Sequence, residues 1–307
     1  MELIGENIHI ISKSVKDAFL SKNKNFFTKL IEIQKNMDFV DLNVGPAKGV
    51  FSGILPYLTK IVQEVNPKIG ISFDTTNFDE MKSGFDEYKN KSNAFINSTT
   101  SDKEKFEMLT EYAILQNCKL IALTMSKETG IPKTCDGRLE LACDMYERFS
   151  EKGIDLDKIY FDPLVLPITA DQSQACEAIN TIKMIKESFE NEVKTIVGLS
   201  NISNGCPNEK RALVNRVFLS MAMGAGLDCA IVDANDKYLY KIIKVLEEKK
   251  PKSEEENLYL KLYQMTENFE EIENIEYNKD SEEEKNIIKA AKIILNKEVY
   301  FDSFTQI

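Results

Sequence analysis

The sequence predicts an α/β fold, a single (β/α)8 barrel. Eight short apolar runs recur along the 307 residues, each ends on a polar residue, and these ends lie 23 to 39 residues apart. Segments with helical periodicity separate the runs, and this alternation of strand and helix is typical of a parallel sheet. A doubly wound open sheet is the competing fold, but no G-x-G-x-x-G follows the first run. We therefore favour the closed barrel.

The predicted strands are continuous apolar runs, as expected for strands that are covered on both faces. In chain order they are Leu3–Asn7, Phe39–Asn43, Ile69–Asp74, Ala94–Asn97, Leu120–Thr124, Ile159–Asp162, Thr195–Asn201 and Cys229–Asp233. Apolar stripes at helical spacing lie between them, for example over 175–185, 213–223 and 239–246. Ser101 and Glu104 form a capping-box pattern, which predicts that a helix begins there.

One acidic segment interrupts this rhythm near the C-terminus. Residues 251–286 contain twelve acidic side chains, including the runs Glu254–Glu256 and Glu282–Glu284. We interpret the segment as a solvated insertion in the last helical layer, because charge runs are usually exposed. Four apolar residues in it could still form one short helix: Leu258, Leu260, Leu262 and Met265. The chain is then one domain over 1–307 with an insertion at 251–286.

Composition and charge exclude several classes of function. There are 39 Lys and Arg residues against 50 Asp and Glu residues, a formal net charge of −11. A nucleic-acid partner is not expected, because binding phosphates requires a basic face. The sequence has neither an apolar stretch of the ~20 residues that span a membrane nor the start of a signal peptide. The six cysteines lack C-x-x-C spacing, which indicates reduced thiols in a cytoplasmic protein.

Functional side chains are expected at the C-terminal ends of barrel strands. No lysine, cysteine or histidine ends a predicted strand, and His9 is the one histidine of the sequence. A Schiff-base site and a zinc site are therefore not expected. The predicted ends instead carry Asp and Asn almost throughout: Asn7, Asp41, Asn43, Asp74, Asn97, Thr124, Asp162, Asn201 and Asp233.

Two kinds of chemistry fit this set of side chains. Several carboxylates together could hold a hard cation such as Mg²⁺. Alternatively, carboxylates and amides could bind a flat heterocycle that presents several donors and acceptors. The number of amides favours the heterocycle. For Asp233 and Asn43, a helix N-cap or a loop hydrogen bond explains the residue equally well.

Motifs occur in order at nearly every predicted strand end. They are Gly5-Glu6, Asp41–Pro46, Asp74–Asn77, Ile96–Thr99, Leu123–Met125, Gly130–Pro132, Asp162–Leu164 and Gly198–Asn201. Together they resemble the pterin-binding methyltransferases, and among them the methyltetrahydrofolate:corrinoid/iron–sulfur protein methyltransferases. The resemblance runs from residue 2 to about 246 and returns over 293–304. It departs at Asn7, where the family usually has an arginine.

The resemblance implies which side chains hold the pterin. The family's third-strand aspartate, the asparagine of its I-N-S-T run and the aspartate of its D-P-L run correspond to Asp74, Asn97 and Asp162. The further positions that the motifs assign to the ligand are Asn201, Asp41, Asn43, Gly198, Asn204 and, after a loop two residues longer, Arg211.

The resemblance also implies the reaction. The barrel would bind 5-methyltetrahydrofolate and pass its methyl group to the Co(I) of a corrinoid, leaving tetrahydrofolate. Asn201 would contact N5 of the pterin, and this interaction must strengthen in the transition state because an amine is a poor leaving group. Asp74 could favour the protonated N5 by its charge. Asn201 and Asp74 are therefore the catalytic candidates.

The implied partner is a corrinoid/iron–sulfur protein. No D-x-H-x-x-G cobalamin motif occurs in the sequence, so the corrinoid is expected on a separate protein. The resemblance further implies a homodimer, and no metal ion is expected on this chain.

Three other functions remain open. Dihydropteroate synthase shares the barrel and the pterin pocket, but the Lys and Arg of its seventh strand are absent from Gly198–Ser203. A metal-dependent lyase could use Asp41, Asp74, Asp162 and Asp233. A non-catalytic folate-binding subunit would bind the pterin without transferring a methyl group.

Overall fold

The computed structural model describes residues 1–301 and confirms the (β/α)8 barrel. Eight parallel strands pair in chain order, and the last closes the sheet on the first. The end of the second stretch of resemblance, residues 302–304, lies outside the described residues. The strands are β1 (Glu2–His9), β2 (Phe39–Gly45), β3 (Gly70–Thr75), β4 (Ala94–Thr99), β5 (Lys119–Leu123), β6 (Ile159–Asp162), β7 (Lys194–Gly198) and β8 (Cys229–Val232).

Twelve helices are found in residues 1–301, most of them around the barrel. They are α1 (Lys13–Leu20), α2 (Lys24–Ile33), α3 (Ile54–Val65), α4 (Phe78–Glu87), α5 (Lys103–Gln116), α6 (Cys135–Lys152), α7 (Ile168–Asp171), α8 (Ser173–Ser188), α9 (Asn208–Gly224), α10 (Lys237–Glu248), α11 (Glu254–Glu267) and α12 (Glu282–Ile294). Over this part of the chain, none has both the length and the apolar surface needed to cross a membrane.

The capping box predicted at Ser101 is not formed. Helix α5 begins one residue later, with Asp102 as the residue before its first turn. The hydroxyl of Ser101 donates instead to the main-chain oxygen of Met125 at 3.2 Å. The contact with the loop after β5 therefore replaces the local cap.

An apolar layer closes the barrel interior below the polar strand ends. It consists of Ile4, Phe39, Phe95, Ile121, Tyr160, Ile196 and Cys229. Because side chains alternate between the two faces of a strand, the residues two positions further along these strands also face the barrel axis. This parity directs Glu6, Asp41, Asn97, Asp162 and Gly198 toward the mouth. Lys119, the first residue of β5, pairs with Glu2 at the opposite end.

The expectation of a solvated acidic segment is wrong for α11. Three of its four acidic residues lie in the first turn, where they interact favourably with the helix N-terminus. Leu258, Leu262 and Met265 are buried, and α11 contacts α9 in the outer layer. Even Glu256 is fully buried, where it pairs with Lys241. The bounds of the insertion and the single-domain organisation stay predictions.

Candidate functional site

Three predicted site residues lie at one level of the sheet. Asn43 of β2 is in register with Asp74 of β3, and Asp74 is in register with Asn97 of β4. The side-chain amide of Asn43 donates to Oδ2 of Asp74. The structure therefore brings together three residues that the sequence separates by 54 positions, on adjacent strands at the barrel mouth.

Asp41 lies one layer deeper and supports this row. Its side chain is only 4% exposed, and its Oδ1 accepts the hydroxyl of Ser72 at 2.6 Å and the amide of Asn97 at 3.4 Å. Burial raises the pKa of Asp41 well above its usual value, and the charge of Asp74 adds to the shift. Asp41 therefore suits the orientation of Asn97 better than direct contact with a ligand.

Asp74 has a carboxyl group that titrates near neutrality. Burial raises its pKa to about 7, and the ammonium of Lys105 opposes that rise. Lys105 stands on α5 rather than at a strand end. Sequence reasoning missed it because no strand-end pattern indicates which helical side chain reaches the mouth.

Asp162 ends β6 in an environment of its own. Burial raises its pKa to about 7, while the N–H of Leu164 and the charge of Arg138 oppose the shift. The Leu164 N–H donates to Oδ1 at 2.7 Å, and Thr124 donates its N–H and its hydroxyl to the Asp162 main-chain oxygen at 3.0 and 3.1 Å. These bonds fix the turn that presents the carboxyl group. Arg138, fully buried on α6, was also missed from sequence.

Asn201 does not lie on a strand, contrary to the predicted run. Strand β7 ends at Gly198, and a 3₁₀ turn over Leu199–Ser203 carries Asn201 as an exposed residue. Leu199 and Ile202 are buried and anchor the turn. A Cβ atom at Gly198 would lie 3.1 Å from Nδ2 of Asn201. The glycine therefore leaves room for the amide of Asn201 beside the strand end.

Asn204 and Arg211 are neighbours on the rim. The Arg211 guanidinium donates from Nη2 to Oδ1 of Asn204 at 3.4 Å and from Nε to the hydroxyl of Ser203 at 3.2 Å. Asn204 thus follows directly on the turn that carries Asn201, and Arg211 contacts the last residue of that turn. The first turn of α9 supplies the arginine.

Glu6 is a further acidic residue at the mouth, and it was not singled out as a site residue. Its Oε1 accepts the hydroxyl of Ser200 at 2.6 Å. Burial raises its pKa; the Ser200 bond and Arg211 oppose the shift, whereas Asp233 adds to it. The alternation of inward-facing side chains along β1 could have indicated this residue.

Asn7 and Asp233 join the ends of β1 and β8. The Asn7 amide donates to Oδ1 of Asp233 at 2.6 Å, and Asn235 donates its N–H and amide to the same atom at 2.9 and 2.8 Å. The loop-hydrogen-bond interpretation of Asp233 therefore holds. The asparagine at position 7 makes a structural contact between strands where the family usually has an arginine.

The carboxylates of the mouth are not arranged as a metal centre in the described part of the chain. Among residues 1–301, no three His, Cys, Asp or Glu side chains are grouped so that they could hold an ion. The bonding pattern fits this result, since Asp233 is occupied by Asn7 and Asn235. The arrangement is instead suited to a planar ligand with several N–H groups, which Asp74, Asn97 and Asp162 can contact from different strands.

Comparisons with known proteins identify the family of this chain. The model of the pterin binding enzyme family matches residues 47–233, a range that contains Asp74, Asn97, Asp162 and Asn201. A methylcorrinoid:tetrahydrofolate methyltransferase from Eubacterium limosum is 25% identical over 241 residues, which cover 77% of this chain and 86% of the relative.

Of two further similar proteins, one matches a shorter part of this chain and the other has a lower sequence identity. Methionine synthase of Mycobacterium tuberculosis is 35% identical over 120 residues, which are 38% of this chain and 10% of that protein. The crystal structure of dihydropteroate synthase from Anaplasma phagocytophilum with bound 6-hydroxymethylpterin-monophosphate has a TM-score of 0.55 at 15% identity, covering 81% of this chain and 99% of the other. At that identity the likeness shows the barrel alone. The family match extends over more than half of the chain, and the protein therefore belongs to the pterin binding enzymes.

Proposed function

We propose that this protein transfers a methyl group between N5 of tetrahydrofolate and the cobalt of a corrinoid carried by a separate protein. One juxtaposition carries the proposal. Asp74, Asn97 and Asp162 line the inside of the barrel mouth, and Asn201 stands exposed on a turn at the same end. The relative from Eubacterium limosum supports this reaction class, and its name gives the direction from corrinoid to folate. The direction that the motifs imply is the reverse of the same step.

The carboxyl groups suit the edge of a pterin ring. Its N3–H and 2-amino group form a pair of adjacent donors, which one carboxylate can accept together. We assign this pair to Asp162, because bonds to Leu164 and Thr124 fix its turn. Asp74 and Asn97, adjacent on β3 and β4, are assigned to the remaining ring nitrogens. Holding the ring on several sides supplies the positioning that methyl transfer requires.

Asn201 is assigned to N5 itself. A side-chain amide has both a donor and an acceptor, so it can keep a hydrogen bond while N5 changes from a tertiary amine to an N–H group. Such a bond accelerates the reaction only if it is stronger in the transition state. Exposure of Asn201 suits a methyl group that must meet a bulky macrocycle.

The residues around this set have supporting roles in the proposal. Asp41 orients Asn97, and Asn43 holds Asp74. Asn204 and Arg211 extend the ligand surface along the rim through their mutual bond. The corrinoid, when the partner binds, supplies the cobalt that accepts or donates the methyl group. A homodimer and a cytoplasmic location are further expectations.

An anaerobic absorbance assay tests the proposal in both directions. The protein is mixed with 5-methyltetrahydrofolate and reduced free cobalamin, or with methylcobalamin and tetrahydrofolate. We expect a protein-dependent exchange between the Co(I) and methyl-Co(III) spectra. Asn180→Ala, an exposed asparagine on α8, is the control and should match the wild-type rate. No transfer in either direction, by protein that binds folate, would contradict the proposal.

A further inference from the structure

The reaction needs a proton that the assigned residues do not supply. A tertiary amine leaves readily only when it is protonated, yet an amide such as Asn201 has no proton that it can give up at neutral pH. The acid must therefore lie near the Asn201 turn and hold its proton near neutrality.

Glu6 lies beside that turn. Ser200, the residue directly before Asn201, donates its hydroxyl to Oε1 of Glu6 at 2.6 Å. Both serine and asparagine belong to the 3₁₀ turn Leu199–Ser203, whose buried residues hold it in place. Only β8 stands between β1, which carries Glu6, and β7, which leads into the turn. The hydrogen bond of Ser200 thus links the Glu6 carboxyl group to the turn that carries Asn201, the residue assigned to N5.

Two other carboxyl groups compete for this role. Asp162 is assigned to the N3–H and 2-amino edge of the ring, which lies away from N5, and the position of Asp74 is less suitable. Asp74 stands on β3, four strands from β7 along the path through β8, β1 and β2. Its Oδ2 accepts the amide of Asn43 on the neighbouring strand. Asp74 therefore belongs with Asn43 and Asn97 on β2 and β4, and within residues 1–301 it has no such link to the turn that carries Asn201.

The surroundings of Glu6 favour its protonated form. Burial raises the pKa of Glu6, and the carboxylate of Asp233 at the end of β8 adds to the shift. The hydroxyl of Ser200 and the guanidinium of Arg211 on α9 act in the opposite direction. Asp41 of β2 also faces it through the barrel interior. An acid works best when its pKa lies close to the working pH.

We infer that Glu6 is the general acid that delivers the proton to N5 of methyltetrahydrofolate, and the base that removes it when transfer runs from the corrinoid. The inference rests on the proposed function. It names a catalytic group beyond the pterin contacts, and Ser200 becomes the residue that orients it.

The Glu6 carboxyl proton forms a bond with N5, and the bond between N5 and the methyl carbon breaks with its electron pair remaining on N5. The methyl carbon forms its new bond with the electron pair of the Co(I) acceptor, which becomes formally Co(III). Glu6 is left as a carboxylate and takes a proton from solvent. In the reverse direction the carboxylate accepts the N5 proton, and every change is inverted.

Single-turnover methyl transfer at saturating folate, measured from pH 5 to 9, tests the inference. Saturation removes ionisations that affect only binding. In the wild type, transfer from folate should slow as pH rises through the pKa of Glu6, and transfer to folate should quicken. Glu6→Gln keeps an oxygen for the Ser200 hydroxyl but has no acidic proton. It should lose about 100-fold in rate and also lose the pH inflection, while folate affinity stays within about twofold.

A second pair of variants separates catalysis from structure. Ser200→Ala removes a donor that orients Glu6 and stabilises its carboxylate, so the rate should fall and the inflection should move to higher pH. Asp74→Asn should weaken folate binding but keep the inflection. A Glu6→Gln variant that transfers within about twofold of wild type, or an inflection that disappears in Asp74→Asn instead, would overturn the assignment. Wild-type protein that binds folate but transfers in neither direction would refute the proposed function itself.

Discussion

Asn43 and Asp74 are joined across the β2–β3 pair, where the amide of Asn43 donates to a carboxylate oxygen of Asp74. This bond leaves the other carboxylate oxygen of Asp74 for a ligand. It also explains Asn43, for which the sequence allowed a structural contact and a ligand contact equally. Asp41 has a similar orienting role, because it accepts a hydrogen bond from the amide of Asn97 at a deeper level of the barrel. The proposed site therefore consists of residues assigned to the ligand and of neighbours that orient them.

Folate affinity should depend on pH through Asp162. Its pKa in the free protein is about 7, and only the carboxylate accepts two N–H groups. Affinity should therefore fall as pH drops below 7, by at most about tenfold per pH unit for this carboxyl group. Asp162→Asn should weaken binding at pH 8 by about tenfold or more and flatten the pH dependence. Calorimetric titration between pH 6 and 8 measures both effects.

The matched control for that prediction is Asp136→Asn, an exposed residue on α6. It should bind folate like the wild type at every pH. If Asp162→Asn kept the wild-type affinity, Asp162 would be removed from the ligand contacts.

The same carboxyl group should make stability depend on pH. The folded-state pKa of Asp162, about 7, exceeds the value near 3.9 of an unfolded chain. The folded state therefore binds more protons between these values, and the free energy of unfolding should fall as pH rises through this range. Asp162→Asn lacks this dependence. Its free energy of unfolding, measured relative to that of the wild type, should therefore be about 2–3 kcal/mol higher at pH 8 than at pH 5. Urea unfolding at the two pH values provides the measurement, and a constant difference would argue against a buried, titrating carboxyl group.

Asn201→Ala should impair transfer more than binding. The amide is assigned to N5, where its contact counts most in the transition state, so we expect a loss of about 100-fold in rate with a smaller loss of folate affinity. Stopped-flow measurement at saturating folate separates the two. Asn180→Ala again provides the comparison, and an unchanged rate in folded Asn201→Ala would remove Asn201 from the mechanism.

Helix α11 should contribute to stability. Leu262 is fully buried, so Leu262→Ala should lower the free energy of unfolding by about 2–5 kcal/mol. Leu115→Ala, whose side chain is 75% exposed, should change it by less than about 0.5 kcal/mol. Urea unfolding of the two variants tests whether α11 is buried, because a solvated segment would give both variants the same free energy of unfolding.

The barrel and its polar mouth could be predicted from the sequence because both follow from local pattern. Apolar runs ending in Asp or Asn predict strands, and parallel closure brings their ends together whatever their separation in the chain. Asn43, Asp74 and Asn97 are found together for this reason.

The remaining features depend on tertiary contacts that no local pattern encodes. Asn201 lies in a 3₁₀ turn whose apolar residues continue the pattern of the strand before it, so the end of β7 was placed too late. Lys105 and Arg138 influence Asp74 and Asp162 from helices. Their reach depends on helix orientation rather than on the spacing of strand ends.

Transfer of a labelled methyl group tests the central claim most directly. The protein is incubated anaerobically with 5-[¹³C-methyl]tetrahydrofolate and reduced corrinoid, and the label is located by NMR. We expect the ¹³C resonance to move from the N5 methyl position to the methyl–cobalt position, and only when the protein is present. Label that remains on folate, in a sample whose protein binds folate, would contradict that claim.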